Sequence, residues 1–454
     1  MPADHIKICL IGAGGMSFGP SMVNDVIHSP DLAGCLLMLH DIDQARLERA
    51  YRLACRLNYQ AGAPVRIDRS LDPQTAMTGA DFCLASAEVR RWEYWKMDYE
   101  IPKRHGATHI TGENGGPGAV FHSMRSIKTT LGICADLERY CPDTFFINLT
   151  NPMSRVTLAI NRATSLRNVG MCHEFDGGVT RIAALLRIPK RRISAKASGI
   201  NHFTFFTEIV DNETGEDLYP RLRQLWSKRF FDFSPRTTKV AKALVKVPWI
   251  DLVVDQGFTP LVSYMFREYG LLPTSIDSHI GEYVPFAAER SHWHPTPVYF
   301  HEGLAKRIEG IVANYGEGKG HLPLHRIGHS PEEPVPIISA MVSGRAADID
   351  AVNVPNRGFV PNLPDLAIVE VPAVADGDGL HPEAMPAIDE RLAAFMRDQI
   401  RIQDLVVTAA ITGSADAAFE AIRTDPLSPP SEEACRAMFD ELLAAQSADL
   451  PVLA

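Results

Sequence analysis

Apolar residues fall into short continuous runs that alternate with stretches spaced three and four apart, the pattern of buried strands between amphipathic helices. The run from Ile6 to Ile11, broken only by Lys7, stops at Gly12-Ala13-Gly14-Gly15 before a helical pattern from Phe18 to His28. A second run, Cys35 to Leu39, ends in His40-Asp41-Ile42-Asp43. Further strands are predicted from Val65 to Ile67, Asp81 to Ala85, Asp143 to Ile147 and Asn168 to Met171. Helices are predicted between them, from Tyr51 to Tyr59, Asp72 to Met77 and Val120 to Tyr140. This alternation predicts an α/β fold with a parallel sheet covered on both faces.

Beyond Asp176 the character changes. A helix leads to a strand region from Ala197 to Val210 that passes through Asn201-His202-Phe203, then to an aromatic helical region ending near Phe258. Strands are predicted from Val352 to Pro364 and from Ile368 to Val374, and residues 385–447 read as helix apart from a break at Asp425 to Ser431. A chain of 454 residues exceeds one core, and the reading is of two domains, 1–170 and 171–454.

Composition narrows the function classes. A net charge of −10 without a basic, aromatic-interleaved run argues against nucleic acid as the main partner. No apolar run reaches the length of a membrane span and no signal segment opens the chain, so neither export nor embedding is expected. The eight cysteines are scattered without a C-x-x-C pair, as in a reducing, cytoplasmic compartment.

Strand, glycine turn and helix form a site where backbone approaches a pyrophosphate, with Gly12, Ala13, Gly14, Gly15 and Met16 as candidate contacts. The third glycine of the dinucleotide fingerprint is replaced by Ser17. Asp41 and Asp43 lie where such folds place the acid that accepts ribose hydroxyls. One is expected to bind ribose and the other to cap the helix near Gln44, and an acid here favours NAD over a 2′-phosphate. Asn148 and Asn151 close a strand edge where amides reach a ligand. The glycine-dense stretch 112–118, which carries Glu113, reads by itself as a flexible loop. Arg90, Arg91 and Lys96 sit among tryptophans and tyrosines on a predicted loop, suited either to an anionic ligand or to solvent. Cys172-His173-Glu174 ends a buried strand, and Asn201-His202 ends another. Cysteine and histidine there supply a metal or, equally, a half-buried thiol and a helix cap.

Taken as an ordered series, these residues resemble glycoside hydrolase family 4, the NAD- and divalent-metal-dependent glycosidases, and the related NAD-dependent sulfoquinovosidases. The series is Gly12-Ala13-Gly14, Asp41-Ile42-Asp43, Ile101-Pro102, Gly115-Gly116-Pro117-Gly118, Asn151-Pro152-Met153, Cys172-His173, Asn201-His202, Pro273 to Tyr283 and Asn353 to Val371. The resemblance implies a fold like that of lactate and malate dehydrogenases, a Rossmann-like dinucleotide domain followed by a mixed α/β domain. It implies hydrolysis by transient oxidation at sugar C3, loss of the C2 proton, departure of the aglycone, and addition of water before the hydride returns. It also implies a metal, usually manganese, on Cys172 and His202, while strand alternation turns His173 toward the substrate. Asp277 is expected as the C2 base, His173 or Glu174 to assist the leaving group, and Asn151, Asn201 and Glu113 to hold sugar hydroxyls. Arg90, Arg91 and Lys96 would read a C6 carboxylate or sulfonate, pointing to a hexuronide or sulfoquinovoside; if they do not, a neutral α-glucoside or α-galactoside is expected. A homo-oligomer, dimer or tetramer, is expected as well. The competing reading is a plain NAD-dependent dehydrogenase of 2-hydroxy acids or sugars, with net redox turnover.

Overall fold

A computed structural model describes residues 3–15, 19–227, 260–291, 297–319, 330 and 332–453. Met16 and the aromatic stretch from 228 to 258 lie outside the described residues. The first half is a parallel sheet of β1 (Lys7–Ile11), β2 (Leu36–His40), β3 (Arg66–Ser70), β4 (Phe82–Ala85), β5 (Phe145–Asn148) and β6 (Arg167–Gly170). Its order, β3-β2-β1-β4-β5-β6, is that of a dinucleotide-binding fold. Helices cover both faces, so the central strands β4 and β5 are buried at every position and read as unbroken apolar runs.

The helices of this half are α1 (Gly19–His28), α2 (Gln44–Ala61), α3 (Pro73–Met77), α4 (Arg91–Arg104), α5 (Pro117–Tyr140) and α6 (Met153–Ala163). α4 corrects the expectation of a loop around Arg90 to Lys96. Its inward face is Tyr94, Trp95, Asp98 and Ile101, spaced three or four apart, with Asp98 paired to the buried Arg125 of α5 at 2.5 Å. An inner face of aromatic and ionic residues hides the helical period that aliphatic residues would have shown.

The second half is antiparallel: β7 (Ile193–Ile200), β8 (Phe203–Asp211), β9 (Ala347–Pro355), β10 (Ile368–Asp376) and β11 (Gly379–Pro382). It extends the same sheet through narrow seams. β6 meets β9 where Gly170 faces Asn353, and β10 meets β7 where Glu370 faces Gly199. The predicted single strand from Ala197 to Val210 is instead the β7–β8 hairpin, turned at Asn201-His202. The predicted strand past Pro355 is a turn, because the Asn356 side chain donates to the carbonyls of Val360 and Leu363 at 3.0 and 2.8 Å. α7 (Glu174–Leu186) follows β6, starting two residues ahead of the predicted Asp176. α8 (Tyr219–Ser227), α9 (Pro260–Tyr269) and α10 (Asp277–Ile280) come next. The C-terminal helices Glu390–Thr412, Ala415–Thr424 and Glu432–Gln446 return to the first half, where Ile402, Val406 and Phe439 share a core with Val120, Phe121 and Met124 of α5. Among the described residues no helix is long and apolar enough to cross a membrane.

The two acids after β2 have separate tasks. Asp43 caps α2, its Oδ1 accepting from the amides of Ala45 and Arg46 at 2.9 and 3.0 Å, whereas Asp41 accepts from Gly14 N–H at 2.8 Å. Asp43→Ala is therefore expected to lower stability by about 1 kcal/mol in a denaturant titration and to leave the glycine turn intact.

Candidate active site

The C-terminal edge of the parallel sheet gathers the chemistry. Gly12, at φ +78°, could carry no Cβ, which would lie 2.4 Å from the carbonyl oxygen of Ser86. A Cβ on Gly14 would lie 2.7 Å from Asp41 Oδ2. The turn is tied to β2, since the His40 carbonyl accepts from both Gly12 and Ala13 N–H at 2.9 and 3.0 Å. The turn thus packs closely on Asp41, with Gly15 exposed at its end. At the end of β5, Asn148 is spent internally, accepting from Thr150 N–H at 3.1 Å, while the Asn151 Oδ1 is buried with no partner among the described residues.

The decisive convergence lies at the next strand. β6 ends at Gly170, so Cys172 and His173 occupy the turn into α7 and not the strand itself. Their separation comes from that turn: Cys172 Sγ lies 3.5 Å from His202 Nε2, whereas His173 Nδ1 lies 3.0 Å from Glu332. His202 sits at the tip of the β7–β8 hairpin with φ +67°, a left-handed conformation that few non-glycine residues adopt. Its ring stacks on His279, with centroids 4.2 Å apart and planes within 6°. His279 Nδ1 is 3.0 Å from Glu174, which also accepts from Ser275 Oγ at 2.6 Å.

Electrostatics separates the roles. Burial and the neighbouring His279 push His202 down to about 3, so its imidazole is neutral and available as a ligand. Burial, then Glu174 and Glu370, push the Cys172 thiol well above its ordinary value, so a nearby cation is what would ionise it. Burial would raise Glu174, but His279 and then His173 hold it well below the usual carboxylate range. Burial would lower His173, yet its bond to Glu332 and the charge of Glu174 hold it up at about 9. The donor set suits a divalent ion. Bonds of roughly 2.3 Å to sulfur and roughly 2.1 Å to nitrogen accommodate the Cys172–His202 separation, and Glu174, His202 and His279 form a second set whose ligand atoms lie within 4.8 Å of one another.

Several expected residues have other tasks here. Asp277 is buried and its oxygens accept from Leu261 and Val262 N–H at 3.1 and 2.9 Å, which makes it the cap of α9. Asn201 is buried, donates to Glu370 at 2.8 Å and meets the Cys172 thiol. Arg90 pairs with Glu93 and Asp449, and Lys96 pairs with Glu302 at 2.7 Å. Arg91 bridges Glu88 and Glu113, the latter at 2.7 Å. The glycine-dense stretch is pinned and not flexible: buried Glu282 accepts from the amides of Glu113 and Asn114 at 3.0 and 2.9 Å, and a Cβ on Gly115 would lie 2.1 Å from the Glu282 carbonyl oxygen. Sequence reasoning missed Ser275, His279, Glu282, Glu332 and Glu370. Glu370 did leave a signal, an acid in the middle of an apolar strand.

Comparison with known proteins identifies the family and the fold. Residues 7–188 match the model of the family 4 glycosyl hydrolases, and residues 197–428 match that of their C-terminal domain. The chain belongs to family 4 of the glycosyl hydrolases, and it is a glycosidase. An α-glucosidase of Erwinia rhapontici is 31% identical over 455 residues, covering 95% of each chain. A 6-phospho-α-glucosidase from gut microorganisms, solved in complex with NAD and Mn2+, has the same fold, with a TM-score of 0.82 at 20% identity over 99% of this chain and 100% of that one. A malate dehydrogenase from Cryptosporidium parvum shares the fold more distantly, with a TM-score of 0.52 at 11% identity over 91% of this chain and 100% of that one.

For Asp277 the geometry makes a clear prediction. Asp277→Asn keeps one acceptor for two amides and should cost about 1–2 kcal/mol, read as a lower melting temperature, with glycosidase turnover retained below the melt. An unchanged melt with turnover abolished would restore Asp277 as the base.

Proposed function

We propose that this glycosidase cleaves a neutral α-glucoside, using NAD held at the glycine turn and a divalent cation, manganese, held by Cys172 and His202. The observation that carries this reading is the 3.5 Å approach of Cys172 Sγ to His202 Nε2, on the sheet edge that also presents the Gly12–Gly15 turn. When bound, NAD accepts the C3 hydride and returns it, and the cation polarises the sugar oxygen as a Lewis acid.

The chain's own residues then have defined parts. Gly12, Gly14 and Gly15 let the pyrophosphate approach backbone, and Asp41 turns to the ribose hydroxyls in exchange for Gly14 N–H. Asn151, whose Oδ1 is unpartnered among the described residues, faces the ligand, and Glu113, held by Arg91, accepts a sugar hydroxyl. Glu370 holds Asn201 against Cys172 and so orients the thiol. His173, half exposed and held by Glu332, and Glu174, beside His279, are the groups that would assist the leaving oxygen.

Charge favours a neutral sugar. Arg90, Arg91 and Lys96 each already meet carboxylates. The Erwinia α-glucosidase supports the same choice. A cytoplasmic location fits the eight free cysteines. A dimer or tetramer fits Ile308 and Ile311, which expose 41% and 50% of their surface on the helix Pro297–Gly316.

A panel of aryl α-glucosides, galactosides, glucuronides, galacturonides and sulfoquinovosides, assayed with NAD, manganese and reductant, tests the reading. The α-glucoside should release its phenol fastest, with no net rise at the NADH absorbance band. Preference for an anionic sugar would overturn the substrate, and NADH accumulating with product would overturn the glycosidase cycle. Cys172→Ser should lose manganese binding by electron paramagnetic resonance and about a hundredfold or more in turnover, while NAD still binds.

A further inference from the structure

Successive backbone amides of the glycine-dense stretch, from Glu113 to Gly116, all end on buried carboxylates. Glu282, fully buried just past α10, accepts on one oxygen from the Thr111 hydroxyl and from Glu113 N–H at 3.0 Å. Its other oxygen accepts from Asn114 and Gly115 N–H at 2.9 and 3.3 Å. Asp425, also buried, takes the next amide, Gly116 N–H, at 3.1 Å. Consecutive amides of this kind form a concavity suited to a bound anion, and here the chain fills it with its own acid. A carboxylate offers about four acceptor sites, and Glu282 spends them on these donors, which leaves it none for a substrate.

What this arrangement pins is Glu113. Its N–H is held by Glu282, its carbonyl oxygen lies 2.8 Å from His122 Nδ1, and its carboxylate meets Arg91 at 2.7 Å. Glu282 is tied in turn to His279, whose carbonyl accepts from Glu282 N–H at 3.0 Å. One buried acid thus joins the loop of Glu113 to the turn whose histidine stacks on His202, and the Glu113 carboxylate lies within electrostatic reach of both rings. We infer that Glu282 is the positioning residue that fixes Glu113 relative to the His202–His279 stack and so holds its carboxylate where a sugar hydroxyl binds. This rests on the reading above that Glu113 accepts a sugar hydroxyl. The logic is that of an outer carboxylate that sets the place of a binding group without itself meeting the ligand.

The test compares KM for 4-nitrophenyl α-glucoside with KM for its analogues lacking the hydroxyl at C2, C4 or C6, in enzyme loaded with NAD and manganese. In the wild type, the analogue missing the hydroxyl that Glu113 accepts should have a KM about tenfold or more above that of the parent, and Glu113→Ala should abolish that difference. Glu282→Gln, which turns an amide N–H2 toward backbone donors, should abolish the same difference and leave the other analogues in their wild-type ratio to the parent. The double variant should show no further rise in KM. Equal rises on the parent and every analogue, with the difference intact, or rises that add in the double variant, would overturn the assignment. If Glu282→Gln does not fold, Thr111→Val takes its place, with the difference expected to narrow about threefold and an unchanged difference overturning the assignment. A wild-type profile with no such difference, or one that Glu113→Ala leaves intact, would instead contradict the reading of Glu113 and with it the assignment that rests on it.

Discussion

The site depends on one hairpin tip. β7 and β8 reverse through Asn201-His202 with His202 in a left-handed conformation, and that backbone choice brings its Nε2 within 3.5 Å of Cys172, a residue on the other half of the sheet. The halves meet through one facing pair, Gly170 with Asn353, and within the second half β7 meets β10 where Gly199 faces Glu370. Glycine is required there because a Cβ on Gly170 would lie 2.6 Å from Thr157 Oγ1, and one on Gly199 would lie 2.5 Å from the Phe203 carbonyl oxygen. Close seams bring the antiparallel half near enough for a hairpin residue to complete a site begun at a parallel strand's end.

The seams also set the electrostatics. Glu370, at one of them, accepts from both Asn201 and Asn353 at 2.8 and 3.1 Å and is buried beneath Cys172. Burial, then Glu174 and Glu370, raise the Cys172 thiol, while burial, then the stacked His279, lower His202. This arrangement by itself favours a neutral thiol and a neutral imidazole. A divalent cation held by Cys172 and His202 would favour the thiolate and would find the imidazole in its binding form, so that metal binding would release a proton.

Much of the parallel half was legible in sequence because strands buried on both faces write unbroken apolar runs, and because Gly12, Gly14 and Asp41 keep fixed spacing along the chain. α4 was not legible, since its buried stripe is Tyr94, Trp95 and an Asp98–Arg125 pair. The order of motifs pointed to the family, and Cys172 and His202 were visible as candidates. What sequence could not supply was partner choice across long separations. Asp277, expected as the C2 base, has its oxygens on the amides of α9, a partnership that spacing along the chain does not show. Arg90 and Lys96 suggested an anion site for the same reason, because the carboxylates that meet them are far away in sequence or on the next turn.

The central claim is that this edge of the sheet cleaves the glycoside by elimination, the C2 proton passing to a base that exchanges with solvent, with the cofactor regenerated inside each turnover. Hydrolysis of an aryl α-glucoside in D2O, followed by mass and NMR analysis of the released sugar, tests it most directly. The account predicts deuterium at C2, retained hydrogen at C3, and no net NADH. A released sugar carrying no deuterium at C2 would contradict it.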